Sequence, residues 1–195
     1  MTGGQHDDRT TIRLVRADPT GDDRDALVAF LSGEEFPFHV RRTISAGDAA
    51  AAVDSGSFRD DDHDTSWLEH SDLGRIGIVR LEDLGDPVPL FDLRIAGRFR
   101  GQGLGLPALR AVTDHVFRTM PDVTRCEGQT REDNTAMRRV FVRAGWVKEA
   151  HYREAWPVEG ARPVASVGYG VLRRDWEQGT TTPVPWDDDA LTRAD

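Results

Sequence analysis

Leu90-Phe91-Asp92-Leu93-Arg94-Ile95-Ala96-Gly97-Arg98-Phe99-Arg100-Gly101-Gln102-Gly103-Leu104-Gly105-Leu106-Pro107 runs from an alternating segment through a cluster of glycines into a helix. Phe91, Leu93 and Ile95 share one face of the first part, the period of a strand with one side buried. The last part continues into Leu109, Val112, Val116 and Met120, the spacing of one helical face. Proline lacks an N–H and is tolerated only in a first helical turn, so Pro107 sets the helix start near Gly103–Leu106.

Working outward, Ile12–Arg16 reads as a first strand, and Asp25–Leu31 as a short helix. Ser45, with Asp48 three residues later, caps a helix through Val53. Trp67-Leu68 and Ile76–Leu81 are strand material. On the other side, Pro121 ends the long helix and Val123–Gln129 is a strand. Asp133 or Asn134 caps a helix that Gly145 stops. Trp146–Trp156 and Val164–Leu172 are two late strands. The expected fold is an α/β (α+β) arrangement in which helices cover a sheet. Residues 1–10 are expected to be a disordered N-terminal segment, 11–176 one domain and 177–195 a polar C-terminal tail.

Composition narrows the function. The 195 residues suit one domain with a core of its own. Lys+Arg is 25 against Asp+Glu 34, a net charge of −9, which repels phosphate backbones and disfavours nucleic acid while attracting amines. Cys126 is the only cysteine, so neither an intrachain disulfide nor a cysteine-rich metal site is expected. No apolar run approaches the ~20 residues of a spanning helix, and the N-terminal residues lack a signal-peptide core. The expectation is a cytoplasmic protein without membrane or metal.

A strand, a glycine turn and a helix together make an anion site, because helix N-termini present free N–H groups and glycine lets a phosphate approach. A P-loop is excluded, since no lysine follows the glycines. Gly103-Leu104-Gly105-Leu106-Pro107-Ala108 fits Gly-x-Gly-x-x-Ala, and Asp122 lies roughly 20 residues on, as in dinucleotide binding. Too little chain follows, however, for a doubly wound sheet.

Arg100-Gly101-Gln102-Gly103-Leu104-Gly105 resembles the Gln/Arg-x-x-Gly-x-Gly/Ala signature of the GNAT superfamily of N-acetyltransferases. Asn134 followed by Ala144-Gly145-Trp146 resembles the next helix of that superfamily. Trp146–Arg153 and Tyr169–Trp176 resemble its Rim-type branch, which acetylates ribosomal proteins. The resemblance spans residues 11–176. It implies a GNAT fold: a mixed, mostly antiparallel, splayed central sheet of about seven strands flanked by about four helices. It implies acetyl-CoA (coenzyme A) as cofactor and a primary amine as acceptor. The diphosphate would sit on the N–H groups of Arg100, Gly101, Gln102, Gly103, Leu104 and Gly105. The pantetheine arm would run beside Leu93-Arg94-Ile95, and Asn134 would bond the arm, act as a helix cap, or do both.

Transfer to an amine needs a base for the ammonium proton and a way to protonate the leaving thiolate. Asp92 is the first candidate base, with a salt bridge to Arg94 as the alternative role. An Asp near this place also occurs in aminoglycoside 6′-N-acetyltransferases. Glu127 is the second, on the strand that neighbours the cofactor strand in this superfamily. Tyr152, seven residues after Gly145, is the candidate acid. Many members use Tyr there, and the Ser that Rim-type enzymes place three residues after the Asn is Met137 here. Glu34, Glu35, Phe36, Phe38 and His39 lie where the first helix pair frames the acceptor. Cys126 reads as a small buried hydrophobe, and His63 and His70 as parts of a solvated acidic loop. Three readings follow: acetylation of a protein N-terminus or small amine by direct attack, an aminoglycoside-type enzyme, or a GNAT-like module that only binds an acyl-CoA. A homodimer is possible.

Overall fold

Nothing in Ile12–Arg16 distinguishes it as an edge strand until its neighbours are placed; the computed structural model, which describes residues 12–186, makes it β1. Helices α1 (Arg24–Gly33) and α2 (Ala46–Asp54) follow. Ser45 caps α2 as expected: its Oγ accepts from Asp48 N–H at 3.1 Å and donates to the Asp48 carboxylate at 2.9 Å. Then come β2 (Asp64–His70), β3 (Gly74–Glu82) and β4 (Leu90–Ile95). A 3-10 turn at Gly97–Phe99 leads to α3 (Gly105–Thr119). Next are β5 (Arg125–Arg131), α4 (Thr135–Arg143), β6 (Val147–Trp156), β7 (Val164–Leu172) and α5 (Arg173–Gln178).

The strands form two antiparallel sheets, ordered β1-β2-β3-β4 and β5-β7-β6. The expected seven-stranded splayed sheet is therefore present as two wings with no ladder between β4 and β5. They touch at one end, where Glu127 N–H donates to Pro89 C=O at 3.3 Å. Beyond that point the wedge is filled by rings: Phe91 lies 5.7 Å from Trp146, and Phe141 stacks on Tyr169 at 4.6 Å. Gly128 makes this possible, because a Cβ there would come within 2.8 Å of both Phe91 and Phe141. Gly77 is equally constrained, since its Cβ would meet the Arg94 carbonyl oxygen at 2.0 Å.

Two cores sit on opposite faces of the first sheet. Leu27, Leu31, Ala49, Val53, Trp67 and Ile78 join α1 and α2 to one face. Leu68, Val79 and Leu81 meet α3 and the second sheet on the other. The register of β2 and β3 slips between Leu68 and Glu69, and this bulge brings Ile76 to the same side as Val79.

The described residues hold five α-helices, against an expectation of about four. Helix α5 crosses residue 176, where the domain was expected to end. Its Trp176 indole donates to Asp114 at 2.6 Å, and Asp175 accepts from Thr180 and Thr182, tying the following residues back. Short helices held by tertiary contacts carry little sequence periodicity, which is why α5 was not foreseen. The expectation for residues 1–10 lies outside the described residues. No helix among the described residues is long and apolar enough to cross a membrane.

Candidate active site

The glycine turn is shaped as an anion cradle. Gly101 and Gly103 have φ of 75° and 82°, the left-handed region in which other residues are strained. Neither has any atom within 4 Å of where a Cβ would lie, so the surface beside them is open. Arg100 N–H is bonded to Gly97 C=O at 3.1 Å. From Gly101 to Gly105, among the described residues, no backbone N–H finds a protein acceptor. These unsatisfied donors lie at the N-terminus of the fifteen-residue α3, where the helix dipole adds positive potential. A diphosphate fits such donors, so the residues present suit the coenzyme the turn implies.

Beside the cradle, β4 has a ladder only on its β3 side. Its other edge faces the wedge, with polar backbone groups free to pair an extended arm. Asn134 stands across that wedge and caps α4, accepting from Met137 N–H at 3.2 Å and donating to Thr130 Oγ1 at 3.1 Å. One amide hydrogen remains for a ligand.

A cleft of about 680 Å³ continues from the wedge to the face covered by α1 and α2. Among the sequence candidates its walls include Phe38, Asp92, Leu93, Arg94 and Asn134, and exclude Glu34, Glu35, Glu127 and Tyr152. Glu34 accepts from Gly97 N–H at 2.7 Å, which holds the start of the 3-10 turn. Glu35 pairs with Arg42. Glu127 pairs with Arg125 at 3.1 Å. Tyr152 is half exposed on β6, opposite Ser166. The other tyrosine, Tyr169, is buried and accepts from Arg138 at 3.3 Å.

Asp92 lies deepest. Arg94 donates to its Oδ2 at 2.9 and 2.6 Å, and His39 Nε2 stands 2.9 Å from its Oδ1. Burial pushes the Asp92 carboxyl up, but the His39 hydrogen bond and the Arg94 guanidinium outweigh it and hold the group well below the usual carboxylate range. A carboxylate so held is a weak base and a strong orienter. It accepts only, so the proton in the His39 contact sits on Nε2, and Nδ1 is left for another partner.

His39 belongs to a loop anchored to both wings. Arg100 donates to Glu35 C=O at 2.7 Å from the β4 side, and Arg131 to Pro37 C=O at 3.3 Å from the end of β5. Arg94 lies 4.9 Å from the Phe36 ring and Arg131 5.6 Å from that of Phe38. The sequence singled out this loop, but not the pairing of His39 with Asp92 nor the anchoring by Arg131. Contacts between segments so far apart leave no periodic trace. Cys126 is buried as expected, and burial pushes its thiol up to about 12. His63 pairs with Asp60 and His70 caps a turn, accepting from Asp72 N–H.

A glycine turn with free N–H groups at the start of α3, beside a split sheet, suits a phosphorylated carrier whose arm pairs with a strand edge. Residues 10–147 match the acetyltransferase (GNAT) domain family, and the chain belongs to it. It is thus an acetyl-CoA-dependent N-acetyltransferase. Solved structures with the same fold include the spermidine N-acetyltransferase of Vibrio cholerae in complex with CoA and spermine. That match has a TM-score of 0.71 and 16% identity over 87% of this chain and 98% of that one. The ribosomal L7/L12 α-N-protein acetyltransferase RimL in complex with CoA matches at TM-score 0.68 and 18% identity, covering 83% and 94%. A probable acetyltransferase matches at 0.67 and 22% identity, covering 87% and 96%.

Proposed function

We propose that this chain acetylates a primary amine in the cleft beside Asp92, with His39 as the proton acceptor. Gly101–Gly105 would take the coenzyme diphosphate, and the free edge of β4 at Leu93–Ile95, with Asn134, the pantetheine arm. Acetyl-CoA, when bound, supplies a thioester carbonyl to the amine and leaves as coenzyme A. The residues of the chain then have three tasks. The cradle fixes the carrier. Arg94 and Asp92 hold the imidazole of His39. Nδ1 of His39 takes the proton that the amine nitrogen loses as the C–N bond forms and the C–S bond breaks. Among the described residues no tyrosine lines the cleft, and a thiolate of pKa near ~8.5 leaves tolerably with a solvent proton. Glu127 and Tyr152 are retained as candidates only for a geometry in which substrate reaches outside these walls.

The observation that carries this reading is the run of N–H groups from Gly101 to Gly105 without a protein acceptor, in the turn that follows the strand carrying Asp92. Calorimetry with acetyl-CoA tests it. Binding by the native chain and loss of binding on Gly103→Val support it; equal binding by both removes the cradle from the reading. A homodimer is proposed through the outer edge of β6, which no strand among the described residues covers; light scattering measures it.

A further inference from the structure

Arg100 opens the glycine signature, yet its own N–H is taken by Gly97 C=O at 3.1 Å, so its main chain has no donor left for a diphosphate. Its guanidinium is engaged elsewhere. Nε donates to Ile95 C=O and Nη1 to Glu35 C=O, both at 2.7 Å. Ile95 ends β4, the strand that carries Asp92, and Glu35 lies in the loop that carries His39. One planar fork therefore ties together the two segments whose side chains meet at the Asp92–His39 contact. A second tie runs beside it, from Gly97 N–H to the Glu34 carboxylate at 2.7 Å.

Phe36 carries the tie inward. Its ring is buried, with Arg100 and Arg94 over it at 5.5 and 4.9 Å, and the His39 ring packs against it edge-wise at 5.4 Å. The main chain closes the same unit. Phe36 N–H donates to Arg42 C=O at 2.7 Å, and His39 N–H to Phe36 C=O at 3.1 Å. Residues 34–42 form neither helix nor strand, so these ties, rather than a regular element, set where the imidazole stands. We propose that Arg100 is a positioning residue for acetyl transfer: through Glu35 C=O and the Phe36 ring it sets His39 against Asp92, rather than acting on the coenzyme. This rests on the reading of His39 as proton acceptor given above. Lysine keeps the charge beside the cradle, but a single ammonium on a flexible stem does not span two carbonyls as a guanidinium does. Arg100→Lys thus separates position from charge.

The test follows coenzyme A release with spermidine, kanamycin, 2-phenylethylamine and trialanine, and the fastest acceptor is used for the variants. Arg100→Lys is expected to lower kcat roughly tenfold or more, as misplacement of a reacting group does. The calorimetric Kd for acetyl-CoA should stay within about twofold of the native value. In the His39→Gln background the same substitution should lower kcat no further, because a residue that acts through the imidazole then has nothing to position. Proton–nitrogen correlation spectra of the histidine rings need no acceptor, and His39→Gln identifies the His39 signals. Those signals should move in Arg100→Lys, while those of His63 and His70 stay. Where Arg100→Lys does not fold, Phe36→Leu carries the same expectations; where none of the four amines is acetylated, the spectra decide. Unmoved His39 signals, an unchanged kcat with a raised Kd, or a loss that adds in full to that of His39→Gln each overturn the proposal. A His39→Gln chain that turns over like the native one instead overturns the reading of His39 beneath it.

Discussion

Nε2 of His39 stands 2.9 Å from Oδ1 of Asp92, so a loop residue and a strand residue 53 positions apart form one unit. If that unit moves the amine proton, His39→Gln lowers kcat about 10²–10⁴-fold, the usual contribution of a positioned acid–base group. The acid limb of its kcat/KM profile should flatten, while calorimetric binding of acetyl-CoA stays as in the native chain. Asp92→Asn keeps the shape and loses the orienting charge, so its kcat should fall less than that of His39→Gln. An unchanged profile in His39→Gln would remove the imidazole from catalysis.

The Asp92 carboxyl also links folding to pH. Its folded pKa is depressed by His39 and Arg94 despite burial, so the unfolded chain binds the proton more readily. The stabilisation is complete above the unfolded carboxylate value of about 3.9 and is lost as pH falls through the lower folded one. Thermal melts from pH 6 downward should therefore show Asp92→Asn losing less of its Tm to acid than the native chain, though it starts lower. Parallel Tm curves would contradict this.

Gly103 is expected to resist substitution for function rather than for folding. Its φ of 82° costs a residue with a Cβ roughly 1–2 kcal/mol, and the open space beside it is where a diphosphate would lie. Gly103→Val should raise the KM for acetyl-CoA by about tenfold or more, since each ~1.4 kcal/mol of lost binding is a factor of ten. A modest drop in Tm should accompany it. An unchanged KM would place the coenzyme elsewhere.

Gly77 shows the opposite balance. A methyl group there would sit 2.0 Å from the Arg94 carbonyl oxygen, which is backbone and cannot swing away. We expect Gly77→Ala to cost more than about 4 kcal/mol, the range reserved for disrupted cores, with β3 and β4 forced apart. Denaturant melts measure it, and a loss near zero would mean the two strands separate easily.

Asn134 carries two tasks that substitution can separate. Serine can cap α4 as well as asparagine, and alanine cannot, so Asn134→Ala should lose about 1 kcal/mol that Asn134→Ser keeps. Both should raise the KM for acetyl-CoA if the free amide hydrogen bonds the arm. If Asn134→Ser binds the coenzyme as the native chain does, the residue is a cap and nothing more.

Local rules accounted for much of this architecture. Ser45 and Asn134 are side-chain caps written in single residues, Pro107 can stand only in a first turn, and Phe91, Leu93 and Ile95 alternate. These features mark α2, α3, α4 and β4 within a few residues. The glycine turn was legible for the same reason, because positive φ selects for glycine. What escaped was set by distance along the chain. Asp92 was readable as a strand carboxylate, yet whether it is a base or an orienter depends on His39, which only the folded loop brings near. The same holds for Glu34, whose partner is the backbone of Gly97. Helix α5 is six residues long, and its order comes from Trp176 and Asp175 contacts rather than from any repeat.

The burial of Cys126 has a practical side. A thiol pushed up to about 12 and shut inside the wedge presents almost no thiolate to a disulfide dye at neutral pH. Since the chain has no other cysteine, colour developed by such a reagent in a turnover mixture is expected to report the coenzyme A released rather than the protein, which a protein-only blank checks.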